Sequence, residues 1–193
     1  MYLEIGPGRG DFLFHLAQEN PTKTVAAVEY KRKRFEKLAR RIETRGIQNV
    51  RLYFGDARVV LPQEFSDEFF EKIFILFLDP WPKRRHAKHR LFQKAFVQEL
   101  FRVLKPEGEV FIAHDDPDFI SQIQEVFREC VDSFVFSEVG IQFLTFYAEK
   151  WQKEGRVISS FSYRKLGCKS ERDYLALPCV VPSIEDLGDL SKS

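Results

Sequence analysis

Cysteine, methionine and tryptophan are scarce in this chain, at three, one and two among 193 residues. Cys130, Cys168 and Cys179 are far apart, odd in number and never spaced as C-x-x-C, which excludes a disulfide framework or a zinc site as the organising feature. They read as reduced cytosolic thiols. No apolar run approaches the roughly 20 residues needed to cross a bilayer, and the start lacks a charged segment leading into an apolar one. The expectation is a cytoplasmic protein with no membrane association. Internal repeats and low-complexity linkers are also missing, so 193 residues with 44% hydrophobic content predict one domain with a substantial core, to which 20 phenylalanines bring bulk without polar handles.

A strong net charge is missing too, but the value of +1 hides an uneven distribution. Residues 31–45 hold eight Lys/Arg against Glu36 and Glu43, and residues 83–90 hold five and no acid, which leaves the remainder acidic. Two basic blocks on an acidic body suggest a polyanion docked at one place. For the first block alone, the solvated face of a helix is an equally good reading.

Short apolar runs bounded by Gly, Asp or Pro alternate with segments of helical period, the pattern of a parallel sheet covered on both faces. Strands are expected at 2–5, 24–28, 50–54, 73–78 and 109–113, with later ones near 134–138 and 157–164. Helices are expected near 11–19, 31–45, 90–104 and 117–130. In the segment 90–104, Leu91, Ala95, Val97, Leu100, Phe101 and Leu104 mark an apolar stripe, and Pro106 and Gly108 end it. The fold class is α/β, a single doubly wound domain over residues 1–166 with its ligands at the carboxyl ends of the strands. Residues 167–193, with Pro178, Pro182 and "EDLGDLSKS", read as a loosely ordered tail. Met1 stands almost on the first strand, so a longer protein with an amino-terminal extension is expected.

"LEIGPGRGDF" places Gly6, Gly8 and Gly10 between the first strand and the first helix, where the backbone must turn tightly and approach a ligand closely. The G-x-G-x-G spacing is one residue short of the dinucleotide fingerprint, and Glu4 stands two residues before the first glycine. A carboxylate there repels phosphates but suits an ammonium group, which favours S-adenosylmethionine over NAD. Glu29 ends the second strand, where a carboxylate accepts hydrogen bonds from both ribose hydroxyls. In "FGDAR", Asp56 stands at the height of an adenine amino group, and the alternative is an N-cap for the segment that follows.

With "EIGPGRG", "VE", "GDA" and then "LDPWPKRRHAKHRL" in that order, the chain resembles the bacterial tRNA (guanine-N7)-methyltransferase family from residue 2 to about residue 165. The glycine and acid motifs are common to class I methyltransferases, whereas the Asp-Pro-Trp stretch with its basic continuation is much more restrictive. The resemblance implies a Rossmann-like methyltransferase sheet and transfer of a methyl group from S-adenosyl-L-methionine to guanosine N7 in tRNA, at the variable-loop guanosine (position 46 in tRNA numbering). It implies donor contacts from Glu4, Gly6, Gly8, Glu29, Asp56 and Asp79, with Asp79 also the catalytic carboxylate. It further implies RNA contacts from Lys83, Arg85, His86, Ala87, Lys88, His89 and Arg90, and substrate contacts from Asp116, Thr145, Phe146, Tyr147 and Ala148. Two positions depart from the family pattern: Asp115 stands where threonine is usual, and Ala148 stands where a glutamate is usual, with Glu149 beside it. Leu78 replaces a usual proline, an exchange expected to be harmless at a strand end. A monomer or homodimer without metal is expected.

The chemistry suits these residues. Guanine N7 has a lone pair and no proton to lose, so orientation matters more than a general base. Asp79 can accept from the guanine N1–H and amino edge, and its charge complements the positive charge that develops on the alkylated base. Trp81 is placed either to stack on an extruded base or to cover the sheet edge. His114, beside two aspartates, reads as a core or supporting residue. Two other readings stay open: a methyltransferase acting on a protein or small molecule, and a non-catalytic RNA-binding module with a relict cofactor pocket. A nicotinamide oxidoreductase fits the glycine spacing least.

Overall fold

Val25–Glu29 are buried at all five positions, which a strand allows only when both faces of its sheet are covered. In the computed structural model, which describes residues 1–80, 90–130, 134–139, 148 and 153–167, this strand is β2. It lies between β1 (Tyr2–Ile5) and β3 (Val50–Phe54), all parallel. On the other side β1 pairs with β4 (Phe70–Leu76), and β4 pairs with β5 (Leu104–His114), again in parallel. Two antiparallel strands complete a seven-stranded sheet, β7 (Ser159–Lys165) and β6 (Phe134–Glu138), in the order β3-β2-β1-β4-β5-β7-β6. The strand order reverses between β1 and β4, the switch point at which doubly wound sheets bind ligands.

Alternation along the strands separates two apolar clusters. Leu3, Ile5, Ala26 and Val28 belong to one, whereas Val25 and Ala27 belong to the other, and side chains of opposite parity leave a strand on opposite faces. The first cluster is closed by α3 (Ala57–Glu64), α4 (Lys94–Val103) and α5 (Pro117–Cys130). The second is closed by α1 (Asp11–Glu19) and by α2 (Arg32–Thr44), which buries Leu38 alone. On the larger face, the Phe127 and Tyr163 rings stack at 3.9 Å between centroids. Lys165 donates to the carbonyls of Phe101 (3.0 Å) and Leu104 (2.8 Å), so a buried ammonium satisfies carbonyls at the end of α4 and the start of β5 and ties β7 to both.

Several boundaries differ from expectation for local reasons. Helix α4 ends at Val103, and the chain passes directly into β5, with Pro106 and Gly108 inside the strand rather than beyond a helix. The Phe70/Lys72 register shift and the positive φ of Glu107 (62°) mark an irregularity that accommodates them. Helix α3 follows Asp56, where the sequence offers a helix only through the N-cap alternative, because the segment is short and carries Pro62. Strand β4 stops at Leu76 because Phe77 adopts φ 51°.

Candidate active site

The carboxyl ends of β1, β2, β3 and β4 border a cavity of about 180 Å³, lined by Gly6, Val28, Tyr30, Asp56, Leu78 and Asp79 among others. Gly6 enters the turn at φ 75° and its amide donates to the Val28 carbonyl (2.9 Å). A Cβ at Gly6 (φ 75°) would meet Leu78 Cδ2 at 2.5 Å, and one at Gly10 (φ 81°) would meet Leu38 Cδ2, so a substitution at either position is strained by the left-handed backbone and must displace a leucine methyl.

Glu4 and Glu29 stand at the ends of adjacent strands and are 3% and 1% exposed. Glu29 Oε1 accepts from the Lys31 amide (2.8 Å), but Glu29 Oε2 and Glu4 Oε2 have no hydrogen-bond partner among the described residues. A buried polar oxygen left unpaired costs about 1–3 kcal/mol, so two side by side require a reason. Burial, with smaller contributions from Asp11 and Glu29, pushes the Glu4 carboxyl up to about 8. Their chain neighbours Ile5, Gly6, Val28 and Tyr30 line the cavity.

Asp56 is differently placed. It caps α3 by accepting from the Arg58 amide (2.9 Å), and the Arg58 guanidinium also bonds it (Nε 3.0 Å), an arrangement that lowers the pKa of the Asp56 carboxyl. The cap that the sequence offered as an alternative is therefore present, on a residue that also lines the cavity.

On the β4–β5 side the chain is held by polar bonds. Phe77 takes the left-handed conformation while its amide donates to the Ala113 carbonyl (2.8 Å), and Leu78 and Asp79 follow at the cavity. Positive φ in a bulky residue is strained, by about 1–3 kcal/mol. His114, 4% exposed, spans this bend: its Nδ1 accepts from the Asp116 amide (2.9 Å), which leaves Nε2–H to donate to the Leu78 carbonyl (2.8 Å). Asp116 Oδ1 accepts from the Phe119 amide (3.1 Å) and caps α5, and Asp115 Oδ2 pairs with Arg156 at 2.7 Å. Asp115 is thus matched by an arginine.

Of the residues singled out in the sequence, Glu4, Gly6, Glu29, Asp56 and Asp79 come together at one end of the sheet. Gly8 belongs to the same loop but faces a neighbouring hollow. Arg90 lies beyond Asp79 in the chain, with its guanidinium on Gln122 Oε1 (2.8 Å). Ala148 is buried. Trp81, Lys83, Arg85, His86, Ala87, Lys88, His89, Thr145, Phe146, Tyr147 and Glu149 lie outside the described residues, as does the tail beyond Gly167. Sequence reasoning did not single out Phe77, Tyr30 or Arg58. Tyr30 and Arg58 directly follow the "VE" and "GDA" motifs, and that adjacency was the available signal.

Residues 1–160 match the model of a family described as "Putative methyltransferase". The chain is 30% identical over 169 residues to a tRNA (guanine-N(7)-)-methyltransferase of Chlamydia felis, covering 85% of this chain and 75% of that one. It is 40% identical over 126 residues to the protein of the same name from Nitrosomonas europaea, covering 65% and 56%. Across such curated relatives it spans from half to three quarters of their length. Among solved structures, it is similar to a SAM dependent methyltransferase from Aquifex aeolicus, with TM-score 0.60, 15% identity and coverage of 86% of this chain and 81% of that one. A precorrin-6y C5,15-methyltransferase from Geobacter metallireducens is similar at TM-score 0.60 and 14% identity, over 85% and 80%. At such identities these structures share the fold.

Proposed function

This chain belongs to the methyltransferase family matched over residues 1–160, and from that premise we propose that it transfers a methyl group from S-adenosylmethionine to N7 of a guanosine in tRNA. The unpartnered buried oxygens of Glu4 and Glu29 beside the glycine turn carry the reading. One suits the ammonium of an amino acid and the other the hydroxyls of a ribose, and the donor presents both. Glu4, Glu29 and the backbone at Gly6 and Gly8 would hold it, with Asp56 beside the adenine. When bound, the donor supplies a methyl group on a sulfonium already activated for displacement.

The chain's own residues then have little proton chemistry to perform, because N7 carries a free lone pair. Asp79 accepts from the guanine N1–H and amino group and so fixes the ring. His114 holds the Leu78 carbonyl, and with it the approach to Asp79, while the same imidazole holds Asp116. Good orientation of this kind corresponds to effective molarities of about 10⁵ to 10⁸ M. The basic stretch at residues 83–90 grips phosphates on either side of the extruded base. The acceptor is the variable-loop guanosine. The names of the curated relatives support the tRNA substrate.

The direct test is incubation with labelled donor and unmodified tRNA, followed by mapping of 7-methylguanosine. Label in the variable loop supports the reading, and its absence overturns it.

A further inference from the structure

Beside the glycine turn is a second hollow of about 830 Å³, formed by Gly8, Arg9 and the outer face of α2. Six cationic side chains line it, among them Arg9, Lys33, Arg34, Lys37 and Arg40, against the single acid Glu36. Lys33, Arg34, Lys37 and Arg40 are exposed, and none pairs with a carboxylate among the described residues. Other cations of the helix are engaged: Arg32 with Glu36 (3.8 Å), Arg41 with Asp11 (3.7 Å) and the Arg9 carbonyl, and Arg45 over the Phe14 ring.

A merely solvated helix face mixes its signs evenly, whereas here six cations stand against one acid. Lys33 and Lys37 are four residues apart and Lys37 and Arg40 three, spacings at which like charges cost about 0.2–0.5 kcal/mol per pair. The first turn has no acid and carries Arg32, Lys33 and Arg34 at the positive end of the helix dipole, where cations are disfavoured. The helix therefore carries a charge arrangement that is unfavourable alone and becomes favourable when an anion docks. The apolar side chains of α2 do not offer a lipid-binding face, since Leu38 is buried and Phe35 packs edge-on against Phe54.

We propose that this hollow binds the phosphodiester backbone of the RNA substrate, as a docking surface separate from residues 83–90; the inference rests on the methyltransferase reading above. Lys33, Lys37 and Arg40 form one stripe about 10 Å long at 1.5 Å rise per residue. One nucleic-acid strand carries a charge per about 3.4 Å of axis, so the stripe faces about three phosphates. Gly8 of the hollow is two residues from Gly6 of the cavity, which brings the backbone past the same end of the sheet that presents Asp79.

The test compares the parent chain with the triple variant Lys33→Gln, Lys37→Gln, Arg40→Gln. The expected result is a salt dependence of tRNA binding shallower by about two units. KM for tRNA should rise by about tenfold with kcat within twofold, and donor affinity by calorimetry should be unchanged. The doubly substituted Lys33→Arg, Lys37→Arg chain should keep the parental slope. Arg128→Gln, an exposed cation on α5 across the sheet, should also keep it. An unchanged slope in the triple variant overturns the proposal. Equal loss in Arg128→Gln overturns it in favour of net charge alone, and lost donor affinity overturns it in favour of a role in the glycine turn. Removal of like charges should leave thermal stability equal or higher, so misfolding does not confuse the result. If the parent binds tRNA but transfers no methyl group, the proposed function fails, while the slopes still decide the hollow.

Discussion

The two halves of the rim around the cavity are built on opposite terms. On the β1–β2 side, Glu4 and Glu29 are buried and each leaves an oxygen without a partner among the described residues. On the β4–β5 side the described polar groups are tied down: Phe77 to Ala113, Leu78 to His114, His114 to Asp116, Asp116 to α5 and Asp115 to Arg156. On the function proposed above, the first half takes the hydrogen-bond donors of a cation and of hydroxyls. The described polar groups of the second half are paired beforehand, so on the same proposal it presents Asp79 to the base without reorganising them.

The largest expected effect lies in the braced half. Asp79→Ala should lower kcat/KM for tRNA by about 10² to 10³, the scale of losing one preorganised electrostatic contact. Next, Glu4→Gln should weaken donor binding by about 10- to 100-fold, or 1.4–2.7 kcal/mol, while raising the melting temperature of the ligand-free protein at pH 8. A lower melting temperature would show that the carboxyl is satisfied and the contrast between halves is wrong.

The pH dependence sharpens the same contrast. Between the ordinary Glu value of 4.5 and about 8, the unfolded chain has released a proton that native Glu4 still holds. Stability of the ligand-free protein should therefore fall as pH rises through that window, and Glu4→Gln should flatten the fall. A cation seated on Glu4 favours the ionised form, so donor binding at pH 7 should release a proton. Calorimetry in buffers of different ionisation enthalpy measures it.

His114→Phe removes both bonds that brace the bend and should cut kcat for methyl transfer by about tenfold, with donor affinity within twofold. Equal loss in both readouts would show that the imidazole serves the whole fold rather than the β4–β5 side. The smallest effect is expected from Arg58→Ala. Its pair with Asp56 is part-exposed, so stability should drop by only about 0.2–1 kcal/mol. Chemical denaturation measures that loss.

Much of the open half was legible from sequence, because its parts are local. Glu4 and Gly6 share one turn, Glu29 ends a strand whose run "VAAVE" announces full burial, and α1, β1, β3 and α5 begin and end where periodicity and punctuation put them. The braced half was read less well because its bonds join distant segments. His114 gains its role from Leu78, 36 positions earlier, and Asp115 from Arg156, 41 positions later. The antiparallel pairing of β7 with β5 is non-local in the same way. Nothing around "ILFLD" signals that Phe77 turns left-handed, and that residue ends β4 early.

Leu78 belongs to both halves at once. Its side chain occupies the space that a Cβ at Gly6 would need, and its carbonyl accepts the hydrogen bond of His114 Nε2–H. Positions 6, 78 and 114 are consequently not free to drift one at a time. A change acceptable at one is conditional on what stands at the next, so Leu78 is one member of a physically coupled set rather than an isolated strand-end residue.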